Sequence, residues 1–372
     1  MTVDVDTAVI GGGVVGLAIG RALALKGRQV MVLERHASTG AEVSSRSSEV
    51  IHAGLYYPPG SLKARLCVLG NRQLYAFAEA NGVAVRRTGK LVVATQAAEI
   101  AALDRIVETA RTNGVKDLVA LSSQEARELE PELRCSAALF SPSTGVIDSH
   151  GLMLALEGHL TALGGAVVLN TNVTGIRPMN LAGFEIETQS SGEPGRLTAR
   201  NVVLAGGLGA TRLGRLLEYK APYAVPETYP AKGHYFSLRS RPPFRHLVYP
   251  VPSGGGLGIH LTLDVAGMAR FGPDFEWASG VTYDFEDTNG ARLSTFEREV
   301  RRYWPSLPDA ALTPGTTGVR PKISRPGEPA ADFAIHGVSE HGIAGLIALY
   351  GIDSPGLTSC LAIGDHVAGM LT

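Results

Sequence analysis

Val3–Ile10 is a run of apolar and β-branched positions, Val14–Leu25 carries apolar residues at helical spacing, and Val30–Leu33 is a second short apolar run. That order predicts strand, helix and strand, one βαβ unit ending at Glu34. Helical periodicity returns over Leu62–Asn81 and over Glu99–Asn113, where Gly114 ends it. A further short helix lies in Ser122–Pro131, with a serine cap at its start and a proline at its stop. GKLVVAT (Gly89–Thr95) reads as a strand, and Gly145–Gly165 reads as a turn followed by a capped amphipathic helix. Ala166–Ile176, Phe184–Thr188 and Arg200–Gly207 read as strands. From Tyr219 the pattern changes to proline-punctuated strands, KGHYFSL, HLVYPVP and GLGIHLTLDVAGMARFGPD, without alternating helices. That is an antiparallel signature. Arg292–Trp304 reads as a helix, TGVRPKIS follows, and the tail returns to strand, glycine turn and helix.

The first turn of the βαβ unit carries Gly11, Gly13 and Gly16 in the spacing G-x-G-x-x-G, and Glu34 closes the second strand 18 residues past the last of them. Gly11 allows the tight turn, Gly13 lets backbone approach a pyrophosphate, and Gly16 lets helix and strand pack closely. The helix start at Val14 and Val15 offers free N–H groups and a partial positive charge to phosphate. Glu34, followed by Arg35, is placed to accept hydrogen bonds from ribose hydroxyls. Strand, glycines, helix, second strand and acid in register specify a dinucleotide site. The fold class is therefore α/β: a Rossmann-like domain interleaved with a mostly antiparallel, α+β substrate domain. The expected boundaries are 1–88, 145–218 and 326–372 for the dinucleotide-binding domain, and 89–144 with 219–325 for the substrate domain.

Composition narrows the partners. A chain of 372 residues holds about two domains. Its net charge of −1 gives no electrostatic footprint for nucleic acid. Three scattered cysteines, Cys67, Cys135 and Cys360, lack metal spacing and suggest no disulfide framework, so no metal is expected. The N-terminus has two aspartates before its apolar run and does not read as a signal peptide. A cytoplasmic location is expected, and peripheral membrane contact stays open.

The fingerprint, together with SSRSSEVIHAGLYYPPGSLKARLC, KGHYFSL, YPVP, GGLGIHLTLDVAGMARFGP, GVRPK and SPGLTSCLAIGDHV, resembles the D-amino-acid oxidase-like superfamily of FAD enzymes, and within it the L-2-hydroxyglutarate dehydrogenase/oxidase family. The resemblance runs over nearly the whole chain, and VIHAGLYYPPGSLKARLC is its most specific piece. It implies non-covalent FAD and oxidation of an L-2-hydroxy acid to the 2-oxo acid. Oxygen, a quinone or another flavoprotein would be the electron acceptor, and these residues do not choose among them. Ser44, Ser45, Arg46 and Ser47 would run along the pyrophosphate, Val173 would present backbone to adenine, and Ala205 with Gly206 would approach the cofactor. Pro355, Gly356, Leu357 and Thr358 open the last helix, whose dipole would stabilise charge on reduced flavin.

The reaction needs a cation for the carboxylate and a base for the hydroxyl proton. Arg320 in GVRPK is the first choice for the carboxylate, since a guanidinium fixes its plane through two parallel N–H bonds. Lys322, on the same strand face, would add charge. His52 is the first candidate base and His260 its rival, imidazole being suited to proton transfer near neutral pH. His234, Tyr57 and Tyr249 are candidates to line the substrate pocket. The competing readings are an amino-acid or glycine-type oxidase and, from another class, a non-catalytic flavin-binding subunit.

Overall fold

The computed structural model describes residues 3–179, 183–219, 223–251 and 258–371. The chain divides into two units, the first made of Met1–Ser45, Ser149–Pro230 and Arg320–Thr372, the second of Arg46–Asp148 and Ala231–Val319.

In the first unit the β-branched runs form a parallel core. Its strands run in the order Ala166–Val168, Val30–Leu33, Val5–Ile10, Glu193–Leu204 and Leu346–Tyr350. Glu193–Leu204 serves two neighbours. Its C-terminal half lies beside Val5–Ile10, and its N-terminal half starts an antiparallel meander through Phe184–Ser190 to Thr171–Pro178. The expected single strand at Ala166–Ile176 is thus two strands, broken where Asn170 takes φ 52°. Asparagine tolerates that left-handed geometry better than most residues. Ala334–His336 closes the other edge. Val5, Ala8, Phe184, Val202, Leu346 and Tyr350 belong to one buried core.

The Gly356–Met370 helix packs on the Val14–Leu25 helix through small residues. A Cβ at Gly364 would lie 2.7 Å from the carbonyl oxygen of Ala18. This packing is what lets residues so far apart in sequence share one layer.

The second unit holds a large sheet in which Lys90–Ala94 lies between Leu247–Pro250, parallel, and Ala137–Ser141, antiparallel. Leu261–Leu263 and Ala269–Phe271 extend it. A smaller sheet joins Val50–Ile51, Gly145–Ile147 and Val85–Arg86. Residues 145–147, read from sequence as a turn before a helix, are therefore a strand, and the helix proper is Ser149–Ala162. Gly145 is required there, because a Cβ would meet the Tyr75 hydroxyl at 2.2 Å and the Arg86 carbonyl oxygen at 2.3 Å. The Leu62–Asn81 helix has the bounds its pattern predicts: Ser61 Oγ accepts from Ala64 N at 3.1 Å and Gly82 takes the left-handed stop.

The domain boundaries differ from the expected ones. Residues 46–88 and 145–148 fall in the second unit, 219–230 and 320–325 in the first. The reason is local: the Arg46 guanidinium stacks on the Tyr283 ring at 3.9 Å, and Val50–Ile51 pairs with Gly145–Ile147. The chain changes unit inside a polar loop that shows no compositional boundary.

Gly364→Leu forces a branched side chain against the Ala18 backbone and should cost about 1–3 kcal/mol. Gly369→Ala, on the same helix with nothing within 4 Å of the added Cβ, should leave stability equal or slightly higher. Thermal melts of both variants check this pair.

Candidate active site

The glycine turn of the first unit shows why each residue is there. Gly11 has φ +118°, and a Cβ on it would lie 2.4 Å from the Ala205 carbonyl oxygen. A Cβ on Gly16 would lie 1.9 Å from the Gly11 carbonyl oxygen, so helix and strand touch without side chains between them. At Gly13 a Cβ would meet only Ser44 Oγ, at 3.0 Å, and the space beside the turn is otherwise open. Ser44 Oγ accepts from Val14 N at 3.0 Å, tying the polar loop to the helix start. The Val15 and Gly16 amides belong to the first helical turn, which has no intrahelical acceptor for them.

Glu34 lies beneath this turn. Its Oε2 accepts from Gly12 N at 2.7 Å and its Oε1 from His36 N at 2.9 Å. Each oxygen keeps lone-pair capacity for a further donor. Gly12 was not singled out from the sequence. A Cβ there would meet the Glu34 side chain at 2.9 Å, so the middle glycine makes room for the acid.

The other cofactor candidates spread over both units. Arg35 Nη2 pairs with Glu42 Oε1 at 2.5 Å. Ser45 Oγ donates to the Gly40 carbonyl. Val173 is buried, and its carbonyl accepts from Arg212 Nη1 at 3.1 Å. Ala205 N donates to the Ile10 carbonyl at 2.8 Å, and Gly206 leads into a short 3₁₀ turn. Pro355 caps the last helix, Gly356 N donates to the Asp353 carbonyl at 2.5 Å, and Leu357 and the buried Thr358 stand in its first turn. Arg46 and Ser47 lie in the second unit, Arg46 on Tyr283 and Ser47 Oγ accepting from Glu49 N at 3.2 Å.

Of the chemical candidates, Arg320 and Lys322 lie in the first unit, near the end of the Leu312–Lys322 strand, and both are half-buried. Lys322 Nζ pairs with Asp353 Oδ2 at 3.0 Å. This ion pair ties the strand to the loop before the last helix, so the structure gives Lys322 a carboxylate of the protein's own.

The second unit gathers His52, Tyr249 and His260. The rings of Tyr249 and His260 stack at 3.6 Å with 6° between their planes. Asn71 Nδ2 donates to the His52 carbonyl at 3.0 Å and to that of Ser143, fixing the backbone that carries the imidazole. Burial, reinforced by the cation of Lys90 and by His260, pulls His52 down to about 3. Tyr249 is pushed up to about 12, mainly by burial. Tyr57 is half-exposed, and its carbonyl accepts from Asn113 Nδ2 at 2.9 Å. The N-terminal part of the GGLGIH motif, residues 255–257, and Pro252 of YPVP lie outside the described residues.

His234, expected to line the substrate pocket, is an interior residue. It is fully buried, with its N–H and Nδ1 on Asp274 Oδ1 at 2.6 and 3.1 Å, and Asp274 is paired in turn with Arg292. Burial, then Arg292, lowers it to about 4. It is a neutral interior group bridging sheet and loop, not a side chain on an open face.

Sequence reasoning missed Lys90 and Tyr56. Lys90 is 0% exposed, and Burial pulls its ammonium down to about 7. Nζ lies 4.9 Å from the Tyr56 ring centroid and 4.8 Å from that of Tyr249, and has no hydrogen-bond partner among the described residues. The signal was present: a lysine heads a strand whose every residue is buried.

An open glycine turn, an acid with lone pairs to spare and two helix starts form a donor and acceptor set that fits a flavin dinucleotide. The DAO family, FAD dependent oxidoreductases, matches residues 6–370, and the chain belongs to it. It is an FAD-dependent oxidoreductase. The chain is 41% identical to the mitochondrial L-2-hydroxyglutarate dehydrogenase of Arabidopsis thaliana, covering 98% of this chain and 83% of that one. It is 30% identical to the mitochondrial enzyme of the same name from Nematostella vectensis, covering 98% and 89%. Among solved structures, it is similar to the dithionite-reduced L-alpha-glycerophosphate oxidase of Mycoplasma pneumoniae with FAD bound. The TM-score is 0.87 at 23% identity, over 99% of this chain and 94% of that one, a likeness of fold.

Glu34→Ala removes the carboxylate under the glycine turn and should weaken FAD binding by about 10- to 100-fold, the range for a charged hydrogen-bond acceptor. Titration of the apoprotein with FAD, followed by quenching of flavin fluorescence, measures the change.

Proposed function

We propose that this chain oxidises L-2-hydroxyglutarate to the 2-oxo acid, with FAD bound non-covalently. The observation that carries this reading is the 41% identity, over 98% of the chain, to a protein named L-2-hydroxyglutarate dehydrogenase. The residues present suit the chemistry. FAD, when bound, supplies the acceptor for the hydride that leaves C2. Arg320 grips the carboxylate next to the reacting carbon, fixing both its position and its plane. Lys322 holds the entry to the last helix through Asp353 and shapes that end of the site.

His52 takes the hydroxyl proton. Its low affinity for protons keeps the imidazole neutral at working pH, so it is ready to accept. A substrate anion beside it favours the imidazolium and raises its basicity at the moment of need. His260, stacked on Tyr249, stands as the alternative acceptor. The Tyr249 face is flat and buried, which suits it to exclude water from the reacting carbon.

Anaerobic mixing of the FAD-loaded protein with L-2-hydroxyglutarate should bleach the flavin absorbance, whereas the D-enantiomer, glycine and L-amino acids should not. An artificial dye as acceptor makes the turnover assay independent of the natural one. Bleaching by glycine or an amino acid alone would move the protein to the amine oxidases. No bleaching by any of these acids would leave a flavin-binding subunit without turnover. Arg320→Ala should raise KM by about 10- to 100-fold, with partial recovery in Arg320→Lys; an unchanged KM would remove Arg320 from the carboxylate.

A further inference from the structure

The ammonium of Lys90 is a buried cation with no hydrogen-bond partner among the described residues, and none of their carboxylates acts on it. An isolated ammonium in a protein interior is costly, and such charges are ordinarily paired. Here the groups around it are aromatic, neutral or cationic. Tyr56 and Tyr249 present their rings at 4.9 and 4.8 Å, and the thiol of Cys67, pushed well up by burial, stays protonated. The Lys90 charge acts on His52, on which His260 acts as well. The strand neighbours opposite Lys90 are Leu247 and Ser141, neither of them charged. The two ring faces supply a partial negative field but no counter-charge.

The position is as telling as the lack of a partner. Lys90 is covered by Tyr56, whose side is 37% exposed, and lies beside the Tyr249 ring that stacks on His260. The ring of Tyr249 therefore meets both the Lys90 ammonium and the ring of His260, the rival candidate base. A lysine serving only to fill the interior would do better as methionine or leucine, which carry no charge to desolvate.

We propose that Lys90 is a specificity-determining residue: its unpaired ammonium selects dicarboxylates, the second carboxylate of the substrate docking at Tyr56 and supplying the negative charge that the protein withholds. This rests on the L-2-hydroxyglutarate reading, and it assigns the recognition of the carboxylate remote from the reacting carbon. Across the low-dielectric interior the attraction persists without direct contact. It also couples binding to protonation, because an arriving anion favours the charged form of a lysine that is only partly protonated near neutrality.

The test compares glutarate with pentanoate, the same chain with one carboxylate replaced by a methyl group, as ligands of the FAD-loaded protein, read by perturbation of the flavin spectrum. Wild type should bind glutarate the more tightly. Lys90→Met, which keeps length and apolar bulk, should lose about tenfold or more in glutarate affinity with little change for pentanoate. Lys90→Arg should recover part of the preference. Calorimetry of wild type in buffers of different ionisation enthalpy, slightly above neutral pH, should show proton uptake with glutarate and none with pentanoate. That arm stands even if the variants fail to fold. A Lys90→Met protein that keeps the wild-type preference, or glutarate binding without proton uptake, would overturn the role of Lys90 while leaving the substrate reading intact. A wild type that turns over amino acids and shows no preference for glutarate would overturn both.

Discussion

The contact between Gly16 and the carbonyl of Gly11 is the constraint on which the cofactor half of this protein rests. Any side chain at position 16 would stand 1.9 Å from that oxygen. Only bare backbone lets the Val14–Leu25 helix start directly over the end of the first strand. With the helix so placed, Ser44 Oγ accepts from its Val14 amide, and Gly12 N bonds Glu34. The Ala205 backbone then closes the turn from the neighbouring strand. The place of the helix start, the Gly12–Glu34 hydrogen bond and the closing of the turn by Ala205 all depend on one absent methyl group.

This dependence explains what was legible in the sequence. Glycine spacing in the first turn and the helical periodicity of Leu62–Asn81 are local requirements, and residues that satisfy them have few other reasons to occur in that pattern. The strands at Val5 and Val30 are legible for a similar reason: a two-faced burial demands continuous apolar runs. Where the outcome depended on distant partners, local pattern was silent. Gly145–Ile147 is a strand because Val50 and Val85 flank it, and nothing within those three residues says so. The stacking of Arg46 on Tyr283 joins residues more than two hundred positions apart, and no local pattern announces it.

The chemical residues divide along the same line. His52 and His260 were singled out as candidates because each lies in a distinctive motif. His234 lies in an equally distinctive motif, but its carboxylate partner, Asp274, makes it an interior strut. Lys90 was overlooked because a lysine at a strand end ordinarily reaches solvent along its own stem. Here every residue of the Lys90–Ala94 strand is buried, and the ammonium ends near the rings of Tyr56 and Tyr249.

The division of the chain into alternating segments bears on its synthesis. The first unit needs Leu346–Tyr350 beside Glu193–Leu204 and Gly364 against Ala18, so the strand that carries the glycine turn is translated long before the residues that cover it. A nascent chain must hold an apolar helix and several unpaired strand edges through most of elongation. Contacts of such long range close slowly. The second unit also straddles a segment of the first, but its last residue is Val319, so it can complete itself earlier. Folding of the first unit is therefore expected to finish after that of the second, once Leu346–Tyr350 and Gly364 have left the ribosome.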